Sequence, residues 1–118
     1  MVYLINLLNV NMSLLELLSK AIDSRKPISF EYNVSHKVSG VRFGHPHAIF
    51  SHPTTNNVMF HIYQTHGVSD TKDKLPGWRQ PILEHITNII ILEDEESFLI
   101  AEGYKPNSPL YAKVFTKI

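Results

Sequence analysis

Two hydrophobic periodicities divide the chain. Between residues 13 and 25 the apolar side chains recur at the spacing of one face of a helix. This stripe consists of Leu14, Leu15, Leu18, Ala21 and Ile22. Ser13 and Glu16 have the spacing of a capping box, and Pro27 disfavours a helical residue before it. The pattern predicts a single helix over residues 13–25.

After Pro27 the period shortens to two. Ile28, Phe30 and Tyr32 alternate with polar residues, which is typical of a half-buried strand. Similar segments, bounded by polar turns, predict further strands at about 41–50, 58–65, 78–83 and 86–92. The apolar run 89–92 indicates burial on both faces of the last of these. Residues 93–118 are expected to form a C-terminal extension with one more strand at about 112–118. Five short strands behind one helix predict a mainly β fold, a small antiparallel barrel or rolled sheet.

The segment before the helix has two interpretations. Met12 stands directly before the predicted cap, so residues 1–12 are either an extension upstream of the native start or an apolar arm. Such an arm would pack on the domain or on a second subunit. Residues 13–118 then form one domain, as the total of 118 residues favours. The segment lacks the basic region and cleavage site of a signal peptide, and no apolar run reaches the roughly 18–20 residues of a membrane span.

The net charge and the lack of cysteine exclude several classes of function. Eleven Lys and Arg balance eleven Asp and Glu, so the formal net charge is zero. A general DNA or RNA binder would be basic, whereas a local basic site remains compatible with this balance. The absence of cysteine excludes disulfides, thiolate nucleophiles and Cys-ligated zinc. We expect a cytoplasmic protein with no membrane partner.

Two arginines stand inside otherwise uncharged, aromatic strand segments. Arg42 lies beside Phe43, and Arg79 lies beside Trp78. A guanidinium group binds phosphate or carboxylate through its planar fork of donors and stacks on rings. If the strands meet, these cations belong to one ligand pocket. The predicted ligand-binding residues are Arg42, His47, Tyr63, Gln64, Trp78 and Arg79.

The expected ligand of this pocket is a nucleotide or a single-stranded nucleic acid segment. Its phosphate would lie on the two arginines, and its base would stack on Tyr63 or Trp78. In the alternative interpretation, the arginines pair with acids such as Glu31 or Glu84, and Trp78 fills the core.

Histidines are numerous, with seven in the chain. His45 and His47 share a strand face, and His61 lies on the neighbouring strand, so the three are candidate zinc ligands. With Asp70 they would form a metal-dependent hydrolase. No zinc signature and no catalytic motif supports that alternative. We therefore expect no enzyme, no catalytic or metal-binding residue and no cofactor.

Several short motifs follow the predicted helix in a fixed order, at residues 41–48, 60–64, 76–79, 85–86 and 103–106. Their order resembles the WYL domain family, closest to its short stand-alone members, and the resemblance covers about residues 13–110. Two positions depart from the pattern. Residues 60–63 (Phe-His-Ile-Tyr) replace the naming triplet, and His85 stands where a basic residue is common.

The resemblance implies an Sm-like or SH3-like barrel after an N-terminal helix. It also implies a regulatory module that binds nucleic acids or nucleotides, in bacterial transcription regulation or phage defence. Family members are commonly fused to a helix-turn-helix domain, which a chain with one predicted helix lacks, so a complete repressor is not expected. The alternative is a protein-interaction or homo-oligomerisation module of the same fold, with no small ligand.

Overall fold

The computed structural model describes residues 12–70 and 74–118, so residues 1–11 of the predicted N-terminal segment 1–12 lie outside the described residues. Within these two ranges, one helix, α1 (Met12–Ser24), precedes six strands. The strands are β1 (Ile28–Tyr32), β2 (Val41–Ser51), β3 (Val58–Gly67), β4 (Gly77–Arg79), β5 (Ile86–Ile91) and β6 (Val114–Lys117). Short 3-10 turns occupy Leu83–His85 and Pro109–Tyr111. The predicted mainly β class with one helix is confirmed.

The strands form one antiparallel sheet that is not closed. Its order is β4-β3-β2-β1-β5, and β6 pairs with β2. β3 occupies one edge of β2, while the other edge pairs first with β1 through residues 41–44 and then with β6 through residues 48–50. Two shifts in the β2–β3 register let the long β2 bend between these partners. The expected small antiparallel barrel or rolled sheet of about five strands is thus an open sheet of six strands, and its sixth strand, β6, comes from the expected C-terminal extension.

The main core lies between α1 and one face of this sheet. The predicted helical stripe is buried, with Leu18 and Ala21 fully inaccessible to solvent. It packs against apolar side chains of β1, β2 and β3, among them Phe30, Ile49 and Phe60. The helix and the sheet bury each other's apolar faces, which is the main driving force for a domain of this size.

The helix ends in a Schellman-type turn. Lys26 donates its backbone N–H to the carbonyl of Ala21 at 2.9 Å, and Arg25 donates to Ile22 at 3.1 Å. Arg25 adopts the left-handed region, with φ 55°, at the position where glycine is usual. Pro27 follows and leads directly into β1.

The second half of the chain departs from the predicted strands in two places. The strand expected at 78–83 ends at Arg79, since Pro81 has no N–H to donate to a ladder. Burial of both faces at 89–92 is wrong, because Ile90 is 58% exposed. β5 is an edge strand, and within this apolar run Ile89 and Ile91 pack against the core. Within the described ranges, no helix has the length and apolar character needed to cross a membrane.

Candidate functional site

A cavity of about 240 Å³ opens where the ends of β1, β2 and β3 approach β4. Its walls, here called the arginine pocket, consist of Tyr32, Lys37, Arg42, Gln64, Asp70, Arg79, Gln80 and Pro81. Three cationic side chains and one carboxylate give these walls a formal charge of +2. On a chain of zero net charge, this local excess favours an anion.

Arg42 is held in the pocket by the pairing of β2. It lies opposite Phe30 of β1 and Gly67 of β3, and it is only 7% exposed. Gly67 has φ 99°, and a Cβ there would lie 2.9 Å from the Arg42 Cα, so glycine permits this close approach. The guanidinium carbon of Arg42 lies 5.7 Å from the centre of the Tyr32 ring, within cation–π range.

Arg42 also ties two loops together through Asp70. Its Nη2 donates to the Asp70 carboxylate at 2.7 Å and to the Val38 carbonyl at 3.0 Å, and the same carboxylate accepts from the Val38 N–H. Burial by itself raises the pKa of Asp70. The hydrogen bonds from Arg42 and Val38, with the charges of Arg42 and Lys37, outweigh that effect and hold the pKa below its ordinary value. The Asp70 carboxylate is therefore ionised at neutral pH.

Gln64 contributes a fully buried amide to the same wall. Its Nε2 donates to the carbonyl of Val68 at 2.7 Å and to that of His66 at 3.3 Å. Carbonyl oxygens only accept, so these two bonds fix which amide atom is nitrogen. Among the described residues nothing donates to Gln64 Oε1, and nothing accepts from the buried Nε of Arg42.

Arg79 reaches the pocket from β4. It pairs with Ile62 and therefore projects on the same sheet face as Ile62 and Gln64. Its Nη1 donates to the Trp78 carbonyl at 2.9 Å, and its Nη2 donates to the Ser69 hydroxyl at 3.4 Å. Arg42, Gln64 and Arg79, three of the six predicted site residues, thus line one cavity.

The acids considered as alternative arginine partners have other neighbours. Glu31 accepts a hydrogen bond from Asn88, and Glu84 lies 4.0 Å from His85. The carboxylate that pairs with Arg42 is instead supplied by Asp70.

The other three predicted residues lie on the opposite face of the sheet, so the prediction of a single pocket is wrong for them. Trp78 pairs with Tyr63, and each precedes a pocket residue by one position. Consecutive strand residues point to opposite faces, which separates Trp78 from Arg79 and Tyr63 from Gln64. On that face Trp78 contacts the rings of His47, His61 and Tyr63, with centroids 4.8, 4.9 and 5.4 Å away.

His47 is a structural residue of this second face. It is fully buried, its Nδ1 bonds the carbonyl of His45 at 2.8 Å, and its Nε2 accepts from the N–H of Ala101 at 3.0 Å. These partners require the neutral ring with its proton on Nδ1. Burial lowers the pKa of His47 to about 4, consistent with that form. Both ring nitrogens are thus occupied by the backbone.

The residues of the metal-hydrolase alternative do not meet. Asp70 lies in the arginine pocket, whereas His47 and His61 lie on the opposite face. His61 Nδ1 is 2.8 Å from the hydroxyl of Tyr111. In the described part of the chain, no three acidic or histidine side chains are grouped so that they would hold a metal ion.

A second cavity, of about 310 Å³, lies beside Trp78 and Tyr104. Two of its polar side chains already have partners in the protein. Trp78 Nε1 donates to the Glu102 carbonyl at 2.9 Å, and the Tyr104 hydroxyl donates to the Ile118 carbonyl at 2.6 Å. The arginine pocket differs because Arg42 Nε and Gln64 Oε1 in its wall have no partner in the described part of the chain, so it is the better candidate site.

Five pocket residues were not predicted as ligand-binding residues: Tyr32, Lys37, Asp70, Gln80 and Pro81. Tyr32 could have been identified from the sequence pattern. It lies two residues after Phe30 and so on the same face of β1, and Phe30 pairs with Arg42. Lys37 and Asp70 lie in loops, where periodicity carries no information about contacts.

Comparison with models of protein families, with curated proteins and with solved structures gives no match to this chain. The resemblance to WYL domains therefore stays a prediction.

Proposed function

We propose that this protein is a ligand-binding module that holds a small phosphorylated ligand, a nucleotide or a close analogue, in the arginine pocket. The observation that carries the proposal is the grouping of Lys37, Arg42 and Arg79 against one carboxylate in a single cavity. Guanidinium groups bind phosphate oxygens with charge-assisted hydrogen bonds, and Arg42 Nε, which has no acceptor among the residues that the structure describes, supplies a donor for one of them.

The dimensions of the site favour a small ligand over a polynucleotide. About 240 Å³ lies below the roughly 300–1,000 Å³ of drug-sized pockets, and it suits a phosphate with its attached sugar. Zero net charge supplies no extended electrostatic attraction for a long nucleic acid. The ring of Tyr32, in the same wall, provides the aromatic surface that was expected from Tyr63 or Trp78.

The biological role that we propose is that of a sensor. The arginine pocket lies between the loop that carries Val38 and the loop that carries Asp70, and Arg42 bonds to both. A phosphate that binds Arg42 changes these bonds and thereby the arrangement of the loops. Together with the WYL resemblance, this supports a regulatory module in bacterial transcription regulation or phage defence.

Isothermal titration calorimetry with adenosine 5′-monophosphate tests the proposal. We expect a dissociation constant below 1 mM and at least a tenfold weakening in Arg79→Gln, about 1.4 kcal/mol. Arg25→Gln is the matched control, because the exposed Arg25 lies at the end of α1 and does not line the pocket. Its affinity should stay within twofold of the native value. An Arg79→Gln variant with native affinity, or a native protein that binds no nucleotide, overturns the proposal.

The interaction-module alternative stays a prediction. The edge strand β5 with its exposed Ile90 is the surface on which a second copy would pair. Light scattering of the native protein tests this alternative, and a monomer at all concentrations counts against it.

A further inference from the structure

The wall of the arginine pocket contains two buried atoms with opposite requirements. Arg42 Nε is a donor that needs an acceptor, and Gln64 Oε1 is an acceptor that needs a donor. Leaving a buried polar group unpaired is unfavourable, so a ligand that satisfies both atoms gains more than one that satisfies either. An ordinary phosphate ester at neutral pH offers mainly acceptors. It can therefore accept a hydrogen bond from Arg42 Nε, but it has no donor for Gln64 Oε1.

The position of the Gln64 amide is rigidly determined. Both of its Nε2 protons are directed to backbone carbonyls, those of Val68 and His66. Gln64 pairs with Gly44 of β2, where a Cβ would lie 2.9 Å from the Gln64 Cα, so the two backbones are in close contact. Gln64 Oε1 is therefore a preorganised acceptor that cannot rotate to find another donor in the protein without losing these bonds.

We propose that Gln64 Oε1 accepts a hydrogen bond from a ligand hydroxyl next to the phosphate, so that the pocket selects hydroxylated phosphate esters of the sugar-phosphate type. This inference rests on the proposed function and names its ligand class. A hydroxyl is favoured over a base amino group because, in a cavity of only about 240 Å³, the ligand group that donates to Gln64 Oε1 must lie close to the phosphate on Arg42. In a sugar phosphate, hydroxyls occupy that neighbouring position.

The decisive test compares two small ligands with the same charge and carbon number, glycerol 3-phosphate and n-propyl phosphate. On the native protein, calorimetry should give at least tenfold tighter binding of glycerol 3-phosphate. In Gln64→Met this preference should fall below twofold. The ratio of the two constants is the informative readout, because a merely structural disturbance weakens both ligands alike.

Thr65→Val is the matched control, because Thr65 is the next residue on β3 and bonds the Phe43 carbonyl instead of lining the pocket. Its ligand preference should remain native. Equal binding of the two ligands by the native protein overturns the inference and leaves the proposed function standing, even if Gln64→Met does not fold. A preference that persists in Gln64→Met also overturns it. If the native protein binds neither ligand nor adenosine 5′-monophosphate, the proposed function itself falls.

Discussion

Arg42 and Asp70 form an ion pair 2.7 Å long inside the pocket that we propose binds an anion. Both side chains are largely shielded from solvent, so their attraction is screened less than that of a surface pair. Arg42 is already bonded to the Asp70 carboxylate when a phosphate enters the pocket. The phosphate must therefore either share the Arg42 guanidinium with Asp70 or displace Asp70 from it. Asp70 thus sets both the charge and the resting arrangement of the site.

Replacing this carboxylate should strengthen anion binding. In Asp70→Asn the like-charge repulsion of a phosphate disappears, and Arg42 is released as a donor. We expect the affinity for adenosine 5′-monophosphate to rise about five- to tenfold by calorimetry, about 1–1.4 kcal/mol. Asp94→Asn, at an exposed turn, is the control and should leave the affinity native. Weaker binding in Asp70→Asn would show that Asp70 helps to form the site and does not compete with the ligand.

The same pair should stabilise the fold in a pH-dependent way. Because the pKa of Asp70 is lowered in the folded protein, its stabilisation is complete above the unfolded value near 3.8 and is lost as the pH falls through the folded value. Urea unfolding should show Asp70→Asn less stable than the native protein by about 1–2 kcal/mol at pH 7 and pH 5. This difference should shrink below pH 4. A constant difference down to pH 2 would contradict the ionised pair.

His47 should make the whole domain sensitive to mild acid. Its pKa falls from 6.5 to about 4 on folding, so between these values the unfolded chain binds a proton that the folded protein excludes. Stability therefore rises with pH across this window, by at most roughly 3 kcal/mol from His47. Burial lowers the pKa of His45 and His61 as well, so both add to the slope.

Urea unfolding of the native protein and of His47→Gln from pH 7 to pH 4 measures this contribution. The variant should be less stable at pH 7, since the bonds to His45 and Ala101 are altered, and its stability should depend less on pH. Parallel pH profiles for the two proteins would rule out His47 as the source.

Arg25→Gly should stabilise the protein. Arg25 occupies the left-handed region at the end of α1, a conformation that costs a residue with a Cβ about 1–2 kcal/mol. Glycine avoids this cost but gains freedom in the unfolded chain, so we expect a net increase of about 0.5–1 kcal/mol in the free energy of unfolding. Arg25→Ala keeps the Cβ and is the control. If both variants change stability equally, side-chain contacts of Arg25 dominate instead of its backbone conformation.

Trp78→Phe should separate stability from binding. The change removes the indole bond to the Glu102 carbonyl and part of the aromatic packing, at a cost of about 1–3 kcal/mol in unfolding free energy. Affinity for adenosine 5′-monophosphate should stay within twofold, because Trp78 lies on the face opposite the arginine pocket. Arg79→Gln, at the next position, should instead weaken the binding of adenosine 5′-monophosphate and leave the unfolding free energy nearly unchanged. A large loss of nucleotide affinity in Trp78→Phe would place the ligand on the aromatic face.

Local patterns determined much of this architecture. The stripe from Leu14 to Ile22 predicted α1 to within one residue at each end, because the spacing of buried side chains on a helix depends only on its own geometry. The alternation in Ile28–Tyr32 likewise located β1 at its observed bounds. Arg42, Gln64 and Arg79 were recognisable as polar residues in strands that otherwise bury apolar side chains.

Tertiary structure decided which of these residues share a site. Trp78 and Arg79, or Tyr63 and Gln64, belong to the same short motif, yet the pleat of the strands sends their side chains to opposite faces. Asp70 and Lys37 line the pocket with Arg42 only because the loop after β3 and the loop before β2 come together at the end of β2. Periodicity is a property of neighbours along the chain, whereas a pocket depends on strand register, bulges and loop paths, which are set by packing of the whole domain.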